Sequence, residues 1–473
     1  MGEIARLKAR DLTAAEKTTV RATALAERRA CAIRVPPNNY FVAVFLATFL
    51  AAFLVYLEFD LAALLLFASA WLVIPFLLAT DKIVFDGQAL ERTGLIPKLW
   101  ARINRRPRRL PIGEIEQIET QALRALKRGG SVFYRYRTTV TGGEGLSFTF
   151  ASGGEDYRLM VAALFPKVNE DALDNRSIEL RDYLTEPKET LMKADFARLP
   201  STEVLESAIN DFQISAKKIK SANTTEDAEK AEYLRQLANE LRLSGHLLQA
   251  LEAFRRALLL NPNDAWLIFE FARCLHSFAG AERDEKLESK ARAALRLAEI
   301  RGRRDSELLA RVGESYFQYG DWERARKVFQ KALEAAQENF RSVRGLAEIA
   351  LREGKIAHVI HHFAAAVHFA DTKALENWAR GENEYFSRLN ADEKYMEREI
   401  RRIRRLEGAL RGKRMALRFA LTGFAAIIIG IFSDDFIINL GWTLSAVSLL
   451  IWTGLIMSGN LLAERSAFIE AED

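Results

Sequence analysis

The chain has 473 residues, enough for two or three domains. Its apolar fraction of 49% is ordinary, but four runs hold much of it; the net charge of +5 is modest, so where the basic residues fall matters more than their total. The two cysteines, Cys31 and Cys274, lie far apart with no CxxC or metal-ligand spacing, which excludes a disulfide framework and predicts reduced thiols in a cytosolic compartment.

Residues 1–39 are polar and alanine-rich, with Arg21, Arg28, Arg29 and Arg34. A helix is expected over Leu12–Ala32, ended by Pro36-Pro37. The first apolar run begins near Tyr40, behind this charged leader, and therefore reads as a retained span and not a secretory signal. Tyr40–Leu57 and Leu61–Thr80 carry no charge, and Glu58 and Asp60 sit in the turn between them. About 20 apolar residues cross the hydrocarbon, so a transmembrane hairpin is expected. Met415–Phe432 and Ile437–Met457 repeat the arrangement around Asp434 and Asp435.

The basic residues set the expected orientation. Arg28, Arg29 and Arg34 precede the first span; Lys82, Arg92, Lys98 and Arg102 follow the second; Arg401, Arg402, Arg404, Arg405, Arg411, Lys413 and Arg414 precede the third. Both short turns are acidic. Both termini and the 81–414 region are thus expected in the cytoplasm, in a multi-pass protein of an inner membrane. Trp71, Trp442 and Trp452 suit interface anchors. Arg418 is the one charge close inside a span and can snorkel. No acidic residue or histidine falls mid-span, which argues for an anchor and against a pump or channel.

After Asp81 the pattern changes. KIVFDGQALERTG carries short apolar runs on either side of Asp86-Gly87, a hairpin signal. GEIEQIET is a strand by context only. SVFYRYRTTV (Ser131–Val140) alternates with period two, Gly142-Gly143 turns the chain, and LSFTFAS (Leu146–Ser152) follows; Glu155–Val168 reads as an amphipathic helix. The first hairpin at Lys82–Gly94 and the string RRLPIGEIEQIE (Arg108–Glu119), directly after a membrane hairpin, resemble the bacterial pleckstrin-homology-like domains. The resemblance covers about a fifth of the chain and implies a seven-stranded barrel capped by a helix. Eukaryotic relatives bind phosphoinositides; only the fold is carried over. Arg102, Arg105, Arg106, Arg108 and Arg109 form a basic cluster near the membrane exit, where each is worth about 1 kcal/mol against anionic lipid. Membrane lipids are the expected contact, beside the ordinary positive-inside excess. Nucleic acid is not expected, because the cluster is short and lacks interleaved stacking aromatics.

Asn169–Thr225 is charged, broken by Pro187 and Pro200, and predicts short helices, the longest over Val204–Ile219. From Ala231 a period of 3.6 takes over. The strings GHLLQALEAFRRALLLNP (Gly245–Pro262), GDWERARKVFQKAL (Gly320–Leu333) and GKIAHVIHHFAAAV (Gly354–Val367) place a glycine, a small or β-branched residue, an aromatic and an alanine at the same offsets. Small residues let the two helices of a hairpin approach, the aromatic fills the gap between hairpins, and glycine permits the turn. Ala231–Lys373 resembles tetratricopeptide repeats, about four of them, with a divergent second repeat interrupted near Glu282–Lys286.

The resemblance implies a concave groove lined by the first helix of each pair. Projected onto this chain, the lining includes Arg235, Asn239, Arg242, Trp266, Phe269, Arg273, Phe317, Arg344 and Arg352. That lining suits an acidic or amphipathic peptide. Arg235 with Asn239 matches half of the clamp by which some family members hold a C-terminal carboxylate; the other half is not evident. His358, His361, His362 and His368 fall on one helix, and His358 and His362 are one turn apart. No cysteine or HExxH accompanies them, so a polar helix face is expected and no metal. Ala374–Arg414 is charged and helical throughout, and DEKYMEREIRRIRRLEGALRGKR (Asp392–Arg414) is expected to run straight into the third span.

The expected fold is a multi-domain membrane protein: four transmembrane helices in two hairpins, a small antiparallel β-barrel and an all-α repeat solenoid. The expected divisions are 1–39, 40–80, 81–168, 169–230, 231–373, 374–414, 415–457 and 458–473. No P-loop, GxSxG or convincing paired carboxylates are present, so no enzyme activity and no cofactor are expected. The expected function is a membrane-anchored scaffold that binds protein partners of a membrane complex. The alternative is a lipid-sensing or lipid-handling protein acting through the barrel.

Overall fold

The computed structural model describes residues 31–104, 108–128, 131–152, 154–207 and 225–463. It divides into two compact units. One comprises Met1–Arg34, Ile83–Arg92 and Arg105–Glu384; the other comprises Val35–Lys82, Thr93–Asn104 and Tyr385–Asp473.

In the first unit, strands β1 (Cys31–Arg34), β2 (Lys82–Phe85), β3 (Ala89–Thr93) and β4 (Arg109–Pro111) form a four-stranded sheet in that order. Strands β5 (Ile115–Arg128), β6 (Ser131–Gly142) and β7 (Ser147–Ala151) form a three-stranded sheet. The β2–β3 turn forms because Gly87 supplies φ +93° and the Asp86 carboxylate accepts from Gln88 N (2.9 Å) and Ala89 N (2.8 Å). Strand β6 alternates as its sequence does: Val132, Tyr136, Thr138 and Val140 are buried. Tyr136 and Thr138 meet Tyr157 of helix Glu155–Leu164, whose Met160, Val161 and Leu164 are also buried, whereas Val132 packs into the core of the first repeats.

Two expectations are corrected here, and a stretch given no reading gains an element. The sheets do not close into a barrel: among the described residues the ladders give one four-stranded and one three-stranded sheet, and a short 3-10 turn at Ile112–Glu114 separates β4 from β5. The end of the helix predicted over Leu12–Ala32 is a strand, since Cys31–Arg34 joins β2; its remainder lies outside the described residues. Leu95–Asn104, read without an element, is an amphipathic helix.

The membrane-length helices belong to the second unit. α1 (Asn38–Tyr56) and α2 (Asp60–Thr80) stand between β1 and β2 in the chain, and α3 (Leu95–Asn104) follows β3. The first unit continues with α4 (Glu155–Leu164), α5 (Asn175–Tyr183), α6 (Pro187–Phe196) and α7 (Thr202–Ser207). The helix predicted over Val204–Ile219 is described only in its first residues, which belong to α7.

Eight helices then pair into four hairpins: α8 (Thr225–Ser244) with α9 (Leu247–Leu260), α10 (Ala265–Glu282) with α11 (Glu285–Arg301), α12 (Ser306–Gln318) with α13 (Trp322–Ala335), and α14 (Phe340–Arg352) with α15 (Ile356–Phe369). Asp264, Asp284, Asp305, Asp321 and Asn339 cap five of these helices, each accepting a backbone N–H of the first turn. Phe329 is fully buried between α12 and α14, where a Cβ at Gly313 or Gly345 would collide with its ring. The glycines and the aromatic thus act as one packing device.

α16 (Lys373–Ala391), α17 (Glu393–Gly430) and α18 (Asp435–Ala463) complete the chain. The stretch from Asp392 runs as one helix into the apolar run from Met415, as expected, and the helical segment expected over Ala374–Arg414 is interrupted at Asp392, whose side chain accepts from Tyr395 N at 3.0 Å. Among the described residues, three helices are long and apolar enough to cross a membrane: Asn39–Tyr56, Asp60–Thr80 and Asp435–Gly459. The run from Met415 is the end of the 38-residue α17, where Lys413, Arg414 and Arg418 interrupt its apolar character. α17 and α18 approach closely: a Cβ on Gly423 would come within 2.8 Å of Ser445 N and 2.9 Å of Gly441 O, and Ser445 Oγ donates to Ala420 O at 3.1 Å.

Candidate functional site

The first helices of the hairpins present a row of charges on one side. α8 contributes Arg235, Asn239 and Arg242; α10 contributes Trp266, Phe269, Glu270 and Arg273; α12 contributes Arg311; α14 contributes Arg341. This surface is already filled by the chain's own segment from Glu170 through Tyr183.

The contact begins at β5. Asp174 N donates to Ile118 O (3.1 Å), and Ile118 pairs with Leu173 as a parallel bridge. Asp174 then caps α5 by accepting from Ser177 N at 2.9 Å. A chain of buried hydroxyls, Ser177–Thr120–Thr138–Tyr157, ties α5 to the sheet at 2.8, 3.0 and 2.9 Å. On its other side α5 carries Glu179, buried between two arginines: Glu179 Oε1 lies 2.9 Å from Arg242 Nη2 and 2.5 Å from Arg273 Nη1. Burial alone would raise this carboxyl, but Arg242 and Arg273 more than offset it and hold it below the usual carboxylate range. Arg273 also stands over the Phe269 ring, 5.7 Å from its centroid.

Glu270 completes the row. It accepts from Arg235 through both oxygens at 2.7 Å, from Asn239 Nδ2 at 2.8 Å and from Tyr183 OH at 3.3 Å. At the other end, Arg341 donates to Glu170 O (2.9 Å) and Leu173 O (3.3 Å), and Arg311 pairs with Glu170. Trp266 donates to Asp305 at 2.8 Å and lies beneath Arg311, 5.1 Å away. A separate seam joins sheet and repeats: Tyr136 OH donates to Leu243 O at 2.8 Å, and Val132 N donates to Gly245 O at 3.0 Å.

The expectation of an open groove is therefore corrected. Arg235, Asn239, Arg242, Phe269 and Arg273 line the surface, but their partners are intramolecular carboxylates, carbonyls and rings. The half-clamp of Arg235 with Asn239 is engaged on Glu270. Sequence reasoning missed Glu179, Glu170, Arg311 and Arg341. Their only signal was charge, since no motif marks contacts 63 and 171 residues apart in the chain.

Three of the expected lining residues remain outside this network. Arg344 pairs with Glu348 (3.2 Å) and lies over Trp378, 5.1 Å away. Arg352 is exposed and lies over Phe317 at 4.8 Å and Trp322 at 5.1 Å; among the described residues it makes no ion pair. Trp322 is 41% exposed. An arginine held against two aromatic rings presents its outer N–H groups to an incoming carboxylate.

A family model for the tetratricopeptide repeat matches residues 231–264 and 306–339. The α8–α9 and α12–α13 hairpins are tetratricopeptide repeats. No curated protein matches the chain. Solved structures that resemble it include MamA (16% identity, 40% of this chain and 95% of that one, TM-score 0.26). The repeat protein TTC0263 of Thermus thermophilus is another (17%, 41% and 95%, TM-score 0.28). The APC/C hetero-tetramer Cut9-Hcn1 is a third (16%, 65% and 62%, TM-score 0.28). The two matched stretches are the α8–α9 and α12–α13 hairpins, and the divergent second repeat lies between them. Tetratricopeptide repeats suggest a scaffold for protein–protein interaction.

The histidines lie on α15 in the fourth repeat, and among the described residues no group of three ligands suits a metal. His362 is half-buried. Burial, then His361 and His358, push it down to about 4. It stays neutral in the folded protein while the unfolded chain takes up a proton, so stability falls as pH drops from about 6.5 towards 4. Thermal unfolding of His362→Gln should show a shallower acid-side loss than the parent over that window.

Of the basic cluster, Arg102 is exposed at the last turn of α3 and Arg109 pairs with Asp86 at 2.7 Å. Arg108 is half-buried, and Arg105 and Arg106 lie outside the described residues. Arg109 is thus committed to the β2–β3 turn.

Proposed function

We propose that this protein is a membrane-anchored tetratricopeptide-repeat scaffold that binds protein partners at the cytoplasmic face and supports assembly of a membrane complex. The observation that carries the reading is a repeat solenoid in one chain with, among the described residues, three helices of membrane length. The basic flanks of the apolar runs favour a cytoplasmic solenoid, and nothing in the chain calls for catalysis or a cofactor. The concave face is not the docking surface, because removing Glu179 from Arg242 and Arg273 would leave two buried charges uncompensated. The partner docks instead at the α12–α13 turn, where Arg352 of α14 with Phe317 and Trp322 offers a cation and rings to an acidic or amphipathic segment.

Purification of the full chain in mild detergent should bring down a stoichiometric partner. Arg352→Glu with Trp322→Ala should weaken its retention at least about tenfold, as expected for truncating an arginine–aromatic hot spot. Absence of any partner sinks the scaffold, and undiminished retention by the double variant sinks the docking site.

A second reading is favoured by the seven strands followed by α4, the parts of a pleckstrin-homology-like domain. It makes the protein lipid-sensing through the sheets. Because β1 precedes the membrane helices and still joins the sheet, the test needs the full chain. Binding that is indifferent to anionic lipid in reconstituted vesicles would end this reading.

A further inference from the structure

Helix α3 has an apolar side that the rest of its unit leaves bare. Leu95, Ile96 and Leu99 are 53%, 43% and 62% exposed. At 100° per residue these three share one side of the helix. Lys98 and Arg102, also exposed, stand one turn apart along its flank. A ten-residue helix is marginal in water without a surface to cover its apolar side.

The fold also fixes where this helix begins. Thr93 Oγ1 donates to Lys82 O at 3.2 Å, closing the β2–β3 hairpin at its open end. Gly94, at φ +140°, then packs on the last residues of α2: a Cβ there would lie 3.1 Å from Asp81 Cα and 3.2 Å from Thr80 O. Lys98 N donates to Gly94 O at 3.2 Å and starts the first turn. The chain is thus returned to the end of an apolar helix before α3 departs from it. α2 itself has bare leucines, with Leu61, Leu65 and Leu72 at 73%, 63% and 73% exposure.

From this juxtaposition we infer that α3 is an interfacial helix whose partner is the bilayer surface. It lies along the cytoplasmic headgroup layer, with Leu95, Ile96 and Leu99 at the acyl boundary and Lys98 and Arg102 on lipid phosphates. The inference rests on the membrane-anchored reading. A bilayer fits better than a protein because α3 shares a compact unit with α1 and α2, starts where α2 ends, and flanks its apolar side with cations only. It gives the Arg102 lipid contact a different basis, insertion of an apolar side with charge as its accompaniment.

The test uses the full chain in vesicles of phosphatidylcholine and phosphatidylglycerol. Cys31 and Cys274 are buried and stay in place, with unsubstituted protein as the labelling control. A fluorescent NBD label is placed separately at Leu99→Cys, Lys98→Cys and Leu65→Cys. The Leu99 label should shift to the blue and be quenched at least about twofold by nitroxide placed high on the acyl chain, and little by aqueous iodide. The Lys98 label should show the reverse. If iodide reaches both labels equally, α3 lies in water and the inference is wrong. If the Leu99 label is shielded from both quenchers, a protein or a second copy covers the helix, and the inference is equally wrong. The Leu65 label separates the two levels of the argument. Quenching there by deep nitroxide without quenching at Leu99 leaves the anchor standing and removes the α3 assignment; quenching at neither removes both.

Discussion

Glu179→Ala in the full chain should lower the unfolding free energy of the first unit by about 3–5 kcal/mol, the range for removing one member of a buried ion pair. The cause is what remains behind. Arg242 and Arg273 have side chains only 4% and 6% exposed, and Glu179 is the carboxylate both of them reach. Without it, two guanidinium groups stay desolvated and repel one another. Thermal unfolding in detergent, followed by circular dichroism, reads the loss. A compensated variant makes the argument falsifiable: Glu179→Leu with Arg242→Met and Arg273→Leu removes all three charges at similar volume and should recover most of the lost stability. If it is no more stable than Glu179→Ala, packing around α5 and not charge is the cause. The pH dependence has a definite sign as well. Glu179 is held below the usual carboxylate range in the folded state, so its contribution is present above about pH 4.5 and is lost as pH falls through the lower folded value.

Gly245→Ala should cost more than about 3 kcal/mol, against about 1–2 kcal/mol for the same change at Gly320 or Gly354. All three glycines have positive φ, +91°, +79° and +72°, at equivalent turns between the two helices of a repeat. Gly320 and Gly354 face open space, whereas a Cβ on Gly245 would run into the carbonyl of Val132. The obstacle is backbone, and it is held there because Val132 N donates to Gly245 O at 3.0 Å. Relief therefore requires parting β6 from the first repeat. Proteolysis between β6 and α8 should report this parting. Equal costs at all three positions would mean that the seam between sheet and repeats is loose.

Both predictions concern a joint that the local sequence patterns did not announce. The repeats were legible because each uses a short-range device, repeated: Gly320, Ala325, Phe329 and Ala332 lie within one hairpin, and their offsets recur around Gly245 and Gly354. The strands were legible for the same reason, since alternation in Ser131–Val140 follows from one face being buried. Leu95–Asn104 escaped notice because it is only ten residues long and carries a proline near its start.

The amino-acid sequence by itself determined the repeat class, the β-hairpins and the apolar runs, because each depends on neighbours a few residues apart. It also set the chemistry of the concave face: arginines and aromatics that favour an acidic segment. Only the tertiary structure decided who occupies that face. Glu179 meets Arg242 across 63 residues, and Glu170 meets Arg341 across 171. At such separations pairing depends on how α5 is carried from the sheet onto the repeats, which no periodicity encodes. Sheet closure was decided at the same level, by which strand edges meet. The position of α3 was decided by Gly94 returning to the end of α2.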